Sequence, residues 1–551
     1  MASMTEYTKL AELLFPQIEK TPADYEAQYP PRALPEGAKV TRFAPSPTGF
    51  MHLGNLFSCF IDSLAAGKNG VFYLRIEDTD KKREVAGAVD AILVGLAYFG
   101  IAPSEGMLAE QTQSGDYGPY KQSQRADIYA CFAKSLVEKG LAYPCFCSEE
   151  EIAALREKQE QAGVTPGYYG QWAHCRSLSY EEIEEKIRAG APYVLRLRSP
   201  GDENRRIYVD DLVKGKLEMP ENVQDIVLLK SDGIPTYHFA HAVDDHLMRT
   251  THVVRGDEWI SSLPVHVQLF QALGYKMPKY VHIAPIMKLD NGNKRKLSKR
   301  KDPESAVTYY IQQGFPAAGV VEYLMTLANS NFEDWRKANK DAPVYDFPFN
   351  LKKMSPSGAL IDEAKLNDIC KNIISKMTAD EVLDKTLTWA KTYDQTMYAL
   401  FSENTDYARK ILSIDRGGAK PRKDIARWNQ VKEYVTYFYD SLFVPEDPMP
   451  ESLAAADVNA ILTRYAEVFN EADDKDTWFA KIKAMCEPLG FSPDVKAYKK
   501  NPECFKGHVG DVSSVIRVAV TGRRNTPDLY EVLRLLGKER VLARLEQAKS
   551  H

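Results

Sequence analysis

Two loops far apart in the sequence carry residue types suited to binding phosphate. The first, residues 44–49, contains two prolines and a glycine and precedes apolar residues at helical spacing. The N-terminus of such a helix presents unpaired N–H groups and the positive end of its dipole to an anion. His52, just ahead of the helix, adds a hydrogen-bond donor. A Pro/Gly loop before a helix is usually only a loop, so this segment does not establish a phosphate site by itself.

The second loop is strongly basic. Six of the eight residues in 294–301 are lysine or arginine. Such a run is usually a solvated face. A lysine-rich loop can also close over nucleotide phosphates and neutralise the charge that develops in phosphoryl chemistry. The run alone leaves both interpretations open.

A third set of residues carries charged groups that could bind a carboxylate or an ammonium group, although a lone arginine at a strand end is more often structural. Arg42 and Arg255 lie at the ends of predicted strands. A guanidinium group binds a carboxylate through two parallel hydrogen bonds, so two arginines match two carboxylates. Glu77, at the end of another predicted strand, is the candidate partner for an ammonium group.

Three cysteines form a candidate metal site. Cys145 and Cys147 are a Cys-x-Cys pair, and Cys175 follows later in the same region. Tetrahedral zinc needs four ligands, and the sequence offers Tyr169 or His174 as the fourth. The alternative is three reduced cysteines packed in a small domain.

The elements that must position these residues have an α/β pattern in the first half. Strand 39–43, the Pro/Gly loop, a helix and strand 71–76 form the start of a parallel α/β domain, which binds ligands at the carboxyl ends of its strands. Beyond about residue 370 the pattern is helical. The predicted segments are an N-terminal extension (1–37), a first Rossmann part (38–119), an inserted α+β domain (120–232), a second Rossmann part (233–290), a region with the basic loop (291–370) and an all-α domain (371–551).

The composition is that of a globular protein without a membrane segment. The net charge is −5, so the chain is not uniformly basic, and a nucleic-acid partner requires clustered cations. Eight cysteines in 551 residues do not suggest a disulfide scaffold. No apolar run reaches the roughly 20 residues needed to span a bilayer. We expect no signal peptide, no membrane association and a cytoplasmic location.

The two phosphate-type loops resemble the two signatures of class I aminoacyl-tRNA synthetases. Residues 42–55 (RFAPSPTGFMHLGN) resemble the first signature, with Asn55 in place of a histidine, and residues 296–300 (KLSKR) resemble the second, with Leu297 in place of a methionine. The resemblance implies a Rossmann-type catalytic domain with an inserted α+β acceptor-binding domain and a C-terminal all-α anticodon-binding domain. It also implies two groups of site residues, catalytic (His52, Lys296, Ser298, Lys299) and ATP-binding (Thr48, Gly49, His52, Gly54, Asn55, Glu258, Lys299).

Within that class the sequence resembles the glutamyl branch. The segments 45–49 (PSPTG), 74–80 (LRIEDTD), 236–240 (TYHFA) and 255–259 (RGDEW) carry the likeness. His241 departs from it, because many relatives have asparagine there. The resemblance implies a contact of Asp80 with the tRNA acceptor end, a zinc site in some members, and a set of glutamate-binding residues (Arg42, Ser46, Glu77, Tyr237, His241, Arg255).

The implied reaction is the ATP- and Mg²⁺-dependent activation of L-glutamate and its transfer to the 3′ adenosine of tRNA-Glu by a monomer. Whether tRNA-Gln is also charged stays open.

A glutaminyl enzyme is disfavoured by PSPTG and IEDTD, and a short paralogue that modifies a tRNA base is disfavoured by the long C-terminal region. A dinucleotide-dependent oxidoreductase would need a Gly-x-Gly-x-x-Gly turn, which the first loop lacks. Two intact signatures argue against a catalytically dead tRNA-binding protein.

Overall fold

The computed structural model describes residues 4–80, 82–298 and 300–549 and divides the chain into two compact units. The first unit comprises residues 4–309 and 321–361, and the second comprises residues 310–320 and 362–549. Both phosphate-type loops belong to the first unit.

The N-terminal extension is folded onto the first unit. It contains helices α1 (Met4–Leu14) and α2 (Pro22–Gln28). Arg32 then donates two hydrogen bonds, of 2.6 and 3.0 Å, to the Glu105 carboxylate. This bidentate pair fastens the extension to the α/β part that follows.

The first α/β part has the predicted strand–loop–helix–strand order. β1 and β2 pair in parallel, β2 and β3 pair in parallel, and β4 returns antiparallel. Every residue of β1 and β2 is buried, as expected for a parallel sheet covered on both faces. The elements are β1 (Val40–Phe43), α3 (Leu53–Ala66), β2 (Val71–Leu74), α4 (Ala88–Tyr98), β3 (Glu105–Ala109) and β4 (Thr112–Ser114).

The inserted part mixes helices with short antiparallel strands. Three strands form a sheet of order β5–β6–β9, and β7 and β8 form a separate hairpin. The elements are α5 (Ala126–Glu138), β5 (Ala142–Cys145), α6 (Glu149–Gln161), α7 (Tyr180–Arg188), β6 (Val194–Leu197), β7 (Arg206–Asp211), β8 (Gly215–Pro220) and β9 (Val227–Leu229).

Parallel α/β structure then returns. The Thr251 N–H donates to the Val40 carbonyl at 2.9 Å, which sets β10 beside β1. β10 and β11 pair in parallel. The elements are α8 (Tyr237–Leu247), β10 (His252–Gly256), α9 (Leu263–Leu273) and β11 (Lys279–Ile283).

The basic run begins in a hairpin rather than in a loop. β12 (Met287–Asp290) pairs antiparallel with β13 (Asn293–Lys296), so the first cations of the run lie on a strand. Three helices follow, α10 (Val307–Gln312), α11 (Ala317–Ala328) and α12 (Asn331–Ala338).

The second unit is helical, as predicted. From residue 362 to residue 549 the structure contains no strand. The helices are α13 (Glu363–Lys376), α14 (Ala379–Tyr393), α15 (Gln395–Glu403), α16 (Thr405–Ser413), α17 (Gln430–Val435), α18 (Ala455–Val468), α19 (Lys475–Cys486), α20 (Val495–Lys500), α21 (Val509–Thr521), α22 (Leu529–Leu536) and α23 (Lys538–Lys549). Among the residues that the structure covers, no helix is both long enough and apolar enough to cross a membrane.

Candidate functional site

His52 caps the helix that follows the Pro/Gly loop. Its ring atom Nδ1 accepts the backbone N–H of Asn55 at 3.2 Å, and the backbone N–H of His52 donates to Asn55 Oδ1 at 3.4 Å. This reciprocal pair is a capping box. Because Nδ1 is an acceptor, the proton of the neutral ring must lie on Nε2, which makes that atom a donor. Asn55 thus holds the imidazole in place from the fourth position of the signature.

The two glycines of this loop act through the backbone. Gly49 has φ of 152°, which residues with a Cβ rarely adopt. A Cβ on Gly54 would lie 3.0 Å from the His52 ring, so glycine lets the imidazole lie close to the helix. Ser46 and Thr48 are exposed in the same loop. The loop therefore ends in a helix N-terminus with an oriented imidazole, an arrangement that suits a phosphate.

A buried ion network lies beneath this loop. Asp245 on α8 accepts a 2.6 Å hydrogen bond from Arg75 and a 3.3 Å hydrogen bond from Arg42. Burial raises the pKa of Asp245, but Arg75 and Arg42 outweigh it and hold the pKa well below its usual value. Burial lowers the pKa of Arg42, but the charge of Asp245 outweighs that effect and raises the pKa above its usual value. The network therefore joins β1, the residue after β2, and α8 through charged groups.

Glu77 lies at the edge of this network. It is buried, and Arg75 donates to its Oε1 at 2.9 Å. Its backbone N–H donates to the Pro45 carbonyl at 3.0 Å, which ties it to the Pro/Gly loop. Burial raises the pKa of Glu77, and Arg75 and Arg42 partly offset that rise.

Arg255, at the end of β10, is enclosed by imidazole and aromatic rings. Its Nε donates to His282 Nε2 at 3.0 Å, and its Nη1 lies 3.3 Å from His266 Nδ1. The guanidinium carbon stands 4.5 Å from the centroid of the Tyr280 ring, a cation–π distance. The side chain is 6% exposed, so its charge faces a largely dry pocket.

Tyr237, the first residue of α8, lies at the centre of the predicted glutamate residues. Burial raises the pKa of its hydroxyl, Arg255 lowers it, Glu77 raises it and Arg42 lowers it. The charges of three predicted ligands therefore act on one phenol. The Tyr237 ring packs against Trp259 with centroids 4.4 Å apart.

His241 lies one turn further along α8 and is fully buried. Its Nε2 is 2.9 Å from the Tyr280 hydroxyl. Burial lowers the pKa of His241 to about 4, and Asp245 opposes that effect. The residue that departs from the family pattern is therefore neutral at neutral pH.

Asp302 organises the second signature. It accepts two hydrogen bonds, of 2.6 and 2.9 Å, from Arg295, and a third, of 2.8 Å, from the Ser298 N–H. Lys288 on β12 donates to it at 3.3 Å. Hydrogen bonding from Arg295 lowers the pKa of Asp302, so the group is an anion that binds the surrounding cations. Among the described residues, Lys288, Arg295 and Ser298 thus gather around one carboxylate.

The structure links the two signatures through neighbouring residues. His52 forms an antiparallel bridge with Ala306, and the Val307 N–H donates to the Met51 carbonyl at 3.1 Å. Lys296 Nζ lies 3.9 Å from Glu258 Oε2, in the segment that follows Arg255. The predicted catalytic residue Lys299 lies outside the described residues.

Asp80 lies away from this network. Its Oδ2 accepts a 2.6 Å hydrogen bond from Arg83, and its side chain is 38% exposed. The Arg83 hydrogen bond lowers its pKa. The position is open to a large ligand, as a contact with nucleic acid requires.

The three cysteines predicted as metal ligands are close together. The sulfur atoms of Cys145, Cys147 and Cys175 all lie within 4.8 Å of one another. A hydrogen bond from Cys175 lowers the pKa of the Cys145 thiol, which favours the thiolate form of that cysteine, whereas burial raises the pKa of Cys147 and the contact with Cys145 raises that of Cys175. This donor set fits a tetrahedral zinc ion that lacks only its fourth ligand.

The structure puts Tyr168 beside the sulfur atoms. Its hydroxyl is 3.3 Å from Cys147 Sγ and accepts the Cys175 N–H at 3.0 Å. The predicted alternatives lie elsewhere: the Tyr169 hydroxyl donates to the Thr165 carbonyl, and His174 is exposed. The spacing in the sequence does not favour one of two adjacent tyrosines over the other. The direction of the backbone decides which hydroxyl lies near the sulfur atoms.

The second unit contains a polar cleft of about 280 Å³. Arg422, Arg523 and Tyr437 are among its lining residues. Within the described residues the Tyr437 hydroxyl has no hydrogen-bond partner although it is buried. Arg416, one of the cations that the sequence offers nearby, instead donates to the backbone carbonyls of residues 374, 377 and 412. Its role here is to close the end of a helix.

Comparisons with known proteins agree with this geometry. Residues 39–367 match the family model for the catalytic domain of class I (E and Q) tRNA synthetases, and residues 390–549 match an anticodon-binding domain model. The chain is 51% identical to the glutamate–tRNA ligase of Clostridium perfringens strain 13 over 98% of this chain and 100% of that protein. It is 50% identical to the glutamate–tRNA ligase of Acetivibrio thermocellus, again over 98% of this chain and 100% of the relative.

A solved structure shares the fold along nearly the whole chain. It is a glutamate–tRNA ligase from Elizabethkingia meningosepticum in complex with its amino acid, with a TM-score of 0.75 and 26% identity. The match covers 93% of this chain and 99% of that one.

Proposed function

Because the chain belongs to the class I (E and Q) tRNA synthetases, we propose that its site activates L-glutamate with ATP and esterifies it to the 3′-terminal adenosine of tRNA-Glu. The residues of the site are proposed as follows. The Pro/Gly loop, His52 and the end of β13 hold the nucleotide. Arg42, Glu77, Tyr237 and Arg255 hold the amino acid.

One observation carries the choice of amino acid. The charges of Arg255, Glu77 and Arg42 all act on the hydroxyl of Tyr237, whose side chain is half-buried. A pocket with two guanidinium groups and one carboxylate complements a ligand with two carboxylates and one ammonium group. Glutamine carries one carboxylate fewer and would leave a buried cation unpaired.

The chemistry needs no protein nucleophile. An α-carboxylate oxygen of glutamate attacks the α-phosphorus of ATP, which forms glutamyl-adenylate and releases pyrophosphate. A terminal ribose hydroxyl of the tRNA then attacks the carbonyl carbon, which forms the ester and releases AMP. His52, Lys296 and Lys299 contribute by holding phosphate oxygens and countering their charge.

Two metals belong to the proposal. Mg²⁺ would enter with ATP as part of the substrate. Zinc would be held by Cys145, Cys147 and Cys175, and its chemistry would be structural because a closed tetrahedral site has no position for substrate. The hydroxyl of Tyr168 is the closest side-chain group for the fourth position.

The tRNA partner would contact both units. The exposed Asp80 supports a contact with the acceptor end, and the Arg422–Arg523 cleft supports a contact with unpaired bases. A monomeric state and a cytoplasmic location remain predictions from the sequence, and whether tRNA-Gln is charged is left to the experiment below.

The test measures ATP–pyrophosphate exchange with tRNA present and glutamate, glutamine or aspartate as the amino acid. We expect exchange with glutamate and very little with the other two. Charging of tRNA-Glu and tRNA-Gln transcripts, run in parallel, then defines the tRNA specificity. Exchange with glutamine at the rate found for glutamate would overturn the proposal.

A further inference from the structure

A buried chain of three side chains leads from Arg255 to the inserted part. Arg255 Nε donates to His282 Nε2 at 3.0 Å. His282 Nδ1 lies 2.7 Å from Asp211 Oδ2. Asp211 is the last residue of β7, in the hairpin of the insertion, and all three side chains are buried.

The proton positions in this chain follow from the chemistry of arginine. A guanidinium group has donors only, so His282 must accept at Nε2. A ring that accepts at Nε2 carries its proton on Nδ1, and it therefore donates to Asp211. Burial lowers the pKa of His282, which agrees with a neutral ring. The chain thus runs in one direction, from guanidinium to imidazole to carboxylate.

Asp211 is held by its own hairpin and by β11. Its Oδ1 accepts the N–H groups of Val213 at 2.9 Å and Lys214 at 2.7 Å. Its Oδ2 also accepts the His282 N–H at 3.1 Å. Burial raises the pKa of Asp211, but His282 and the two turn N–H groups outweigh it and lower the pKa. A fixed anion therefore stands at the end of the chain.

The same turn holds the segment beyond Arg255. Lys214 Nζ donates to Asp257 Oδ2 at 2.9 Å and to the Pro356 carbonyl at 2.7 Å. The Leu212 N–H donates to the Tyr280 carbonyl at 3.0 Å. The turn of the β7–β8 hairpin thus contacts both the segment after β10, through Asp257, and the neighbouring strand β11, through Tyr280.

We propose that Asp211 is a positioning residue for glutamate selection, acting on Arg255 through His282. This inference rests on the proposed role of Arg255 as a glutamate ligand. A hydrogen bond at Nε fixes the plane of the guanidinium group, whose Nη1 lies 3.3 Å from His266 Nδ1 and whose Nη2 donates to the Trp259 carbonyl at 3.4 Å. The inserted hairpin, which the mechanism does not otherwise use, thereby sets the geometry in which the substrate carboxylate is bound.

The test compares Asp211→Asn with Asp210→Asn, its exposed neighbour on β7. Asparagine keeps the shape of Asp211 but replaces one acceptor oxygen with a donor. We expect Asp211→Asn to raise the KM for glutamate by about tenfold or more, because a buried donor loses its acceptor, while the KM for ATP changes less than about twofold. Asp210→Asn should leave both values unchanged. An equal KM for glutamate in the two variants would overturn the inference, as would an equal rise in both KM values of Asp211→Asn.

A second variant covers the case in which Asp211→Asn does not fold. His282→Asn keeps an N–H for Asp211, so the hairpin stays anchored, but the shorter side chain has no acceptor at the position of Nε2, where Arg255 donates. The same selective rise in the KM for glutamate is expected, and a KM for glutamate at the wild-type value would contradict the proposed path.

A double-mutant cycle separates positioning from general damage. In an Arg255→Ala background, His282→Asn should change the KM for glutamate by less than about twofold, because the group it positions is gone. Effects that multiply would overturn the inference. Wild-type protein without glutamate-dependent exchange would instead refute the proposed function, so the two failures are distinguishable.

Discussion

His241 Nδ1 lies 2.8 Å from Asp245 Oδ2, one helical turn apart on α8, and both side chains are fully buried. The two atoms are close but lack the geometry of a hydrogen bond. Asp245 is already paired with Arg42 and Arg75. A protonated imidazole would therefore be a third cation in a closed network, and burial lowers the pKa of His241 to about 4.

This histidine is expected to make the first unit sensitive to acid. The pKa is about 4 in the folded chain and about 6.5 in the unfolded chain. Between these values the unfolded chain binds a proton that the folded chain does not, so the free energy of unfolding decreases as the pH falls from about 6.5 to about 4. The full effect is roughly 3 kcal/mol. His241→Asn should remove this part of the pH dependence.

The measurement is the denaturant unfolding free energy of both proteins at several pH values from 7.5 to 4. The difference between wild type and His241→Asn should change steadily across the range. A constant difference between wild type and His241→Asn would show that the imidazole is not held neutral.

Replacement of Arg255 tests its proposed role in glutamate binding. Arg255→Ala would leave a substrate carboxylate unpaired in a buried pocket, at a cost of roughly 2–5 kcal/mol. The kcat/KM for glutamate in ATP–pyrophosphate exchange with tRNA present should fall by about 30-fold or more. Arg255→Lys keeps the charge but not the planar fork, so it should restore only part of the loss. A wild-type kcat/KM in Arg255→Ala would contradict the assignment.

Sequence reasoning identified the residues that match short motifs and missed the partners that hold them. The Pro/Gly loop and the KLSKR run are each a single unbroken stretch of sequence, so each motif can be recognised without the fold. Asp245 is 170 residues from Arg75, and its pairing with that arginine requires the fold. Its only local signal is its position three residues after Ala242 on the apolar side of a helix, where a charged residue needs a partner.

Other misses have the same cause. His282 is flanked by Val281 and Ile283 in β11, so the sequence gives it the surroundings of a core residue. Asp302 follows the basic run directly, and a lone carboxylate after six cations is a signal that could have been used. The N-terminal extension had no motif, yet Arg32 binds Glu105 through both carboxylate oxygens. Long-range ion pairs determine these roles, and spacing in the sequence does not encode them.

Asp302 provides a test of whether the second signature must be held in one shape. Asp302→Asn would weaken the bidentate pair with Arg295 and the contact with the Ser298 N–H together. The kcat of glutamate-dependent exchange should fall about tenfold, because misplaced cations no longer meet the phosphates, while the KM for glutamate stays near the wild-type value. Steady-state kinetics at saturating ATP measures both.

The matched control for this variant is Asp290→Asn. Asp290 binds the same Arg295 at 2.6 Å, but its side chain is 44% exposed, against 2% for Asp302. An exposed ion pair contributes about 0–1 kcal/mol, so kcat should change by about fivefold at most. If the two variants had equal kcat values, the buried carboxylate would not be the one that shapes the signature.

The cysteine cluster makes a sharp prediction because two adjacent tyrosines serve as each other's control. If the Tyr168 hydroxyl completes the zinc coordination, Tyr168→Phe should lower the affinity for zinc, whereas Tyr169→Phe should leave it unchanged. Metal analysis of purified protein should find about one zinc per chain in the wild type and in Tyr169→Phe. During dialysis against a chelator, Tyr168→Phe should lose zinc faster than either. Equal retention in the two variants would exclude Tyr168 as a ligand, and wild-type protein without zinc after metal-replete expression would leave three packed thiols as the correct description of the cluster.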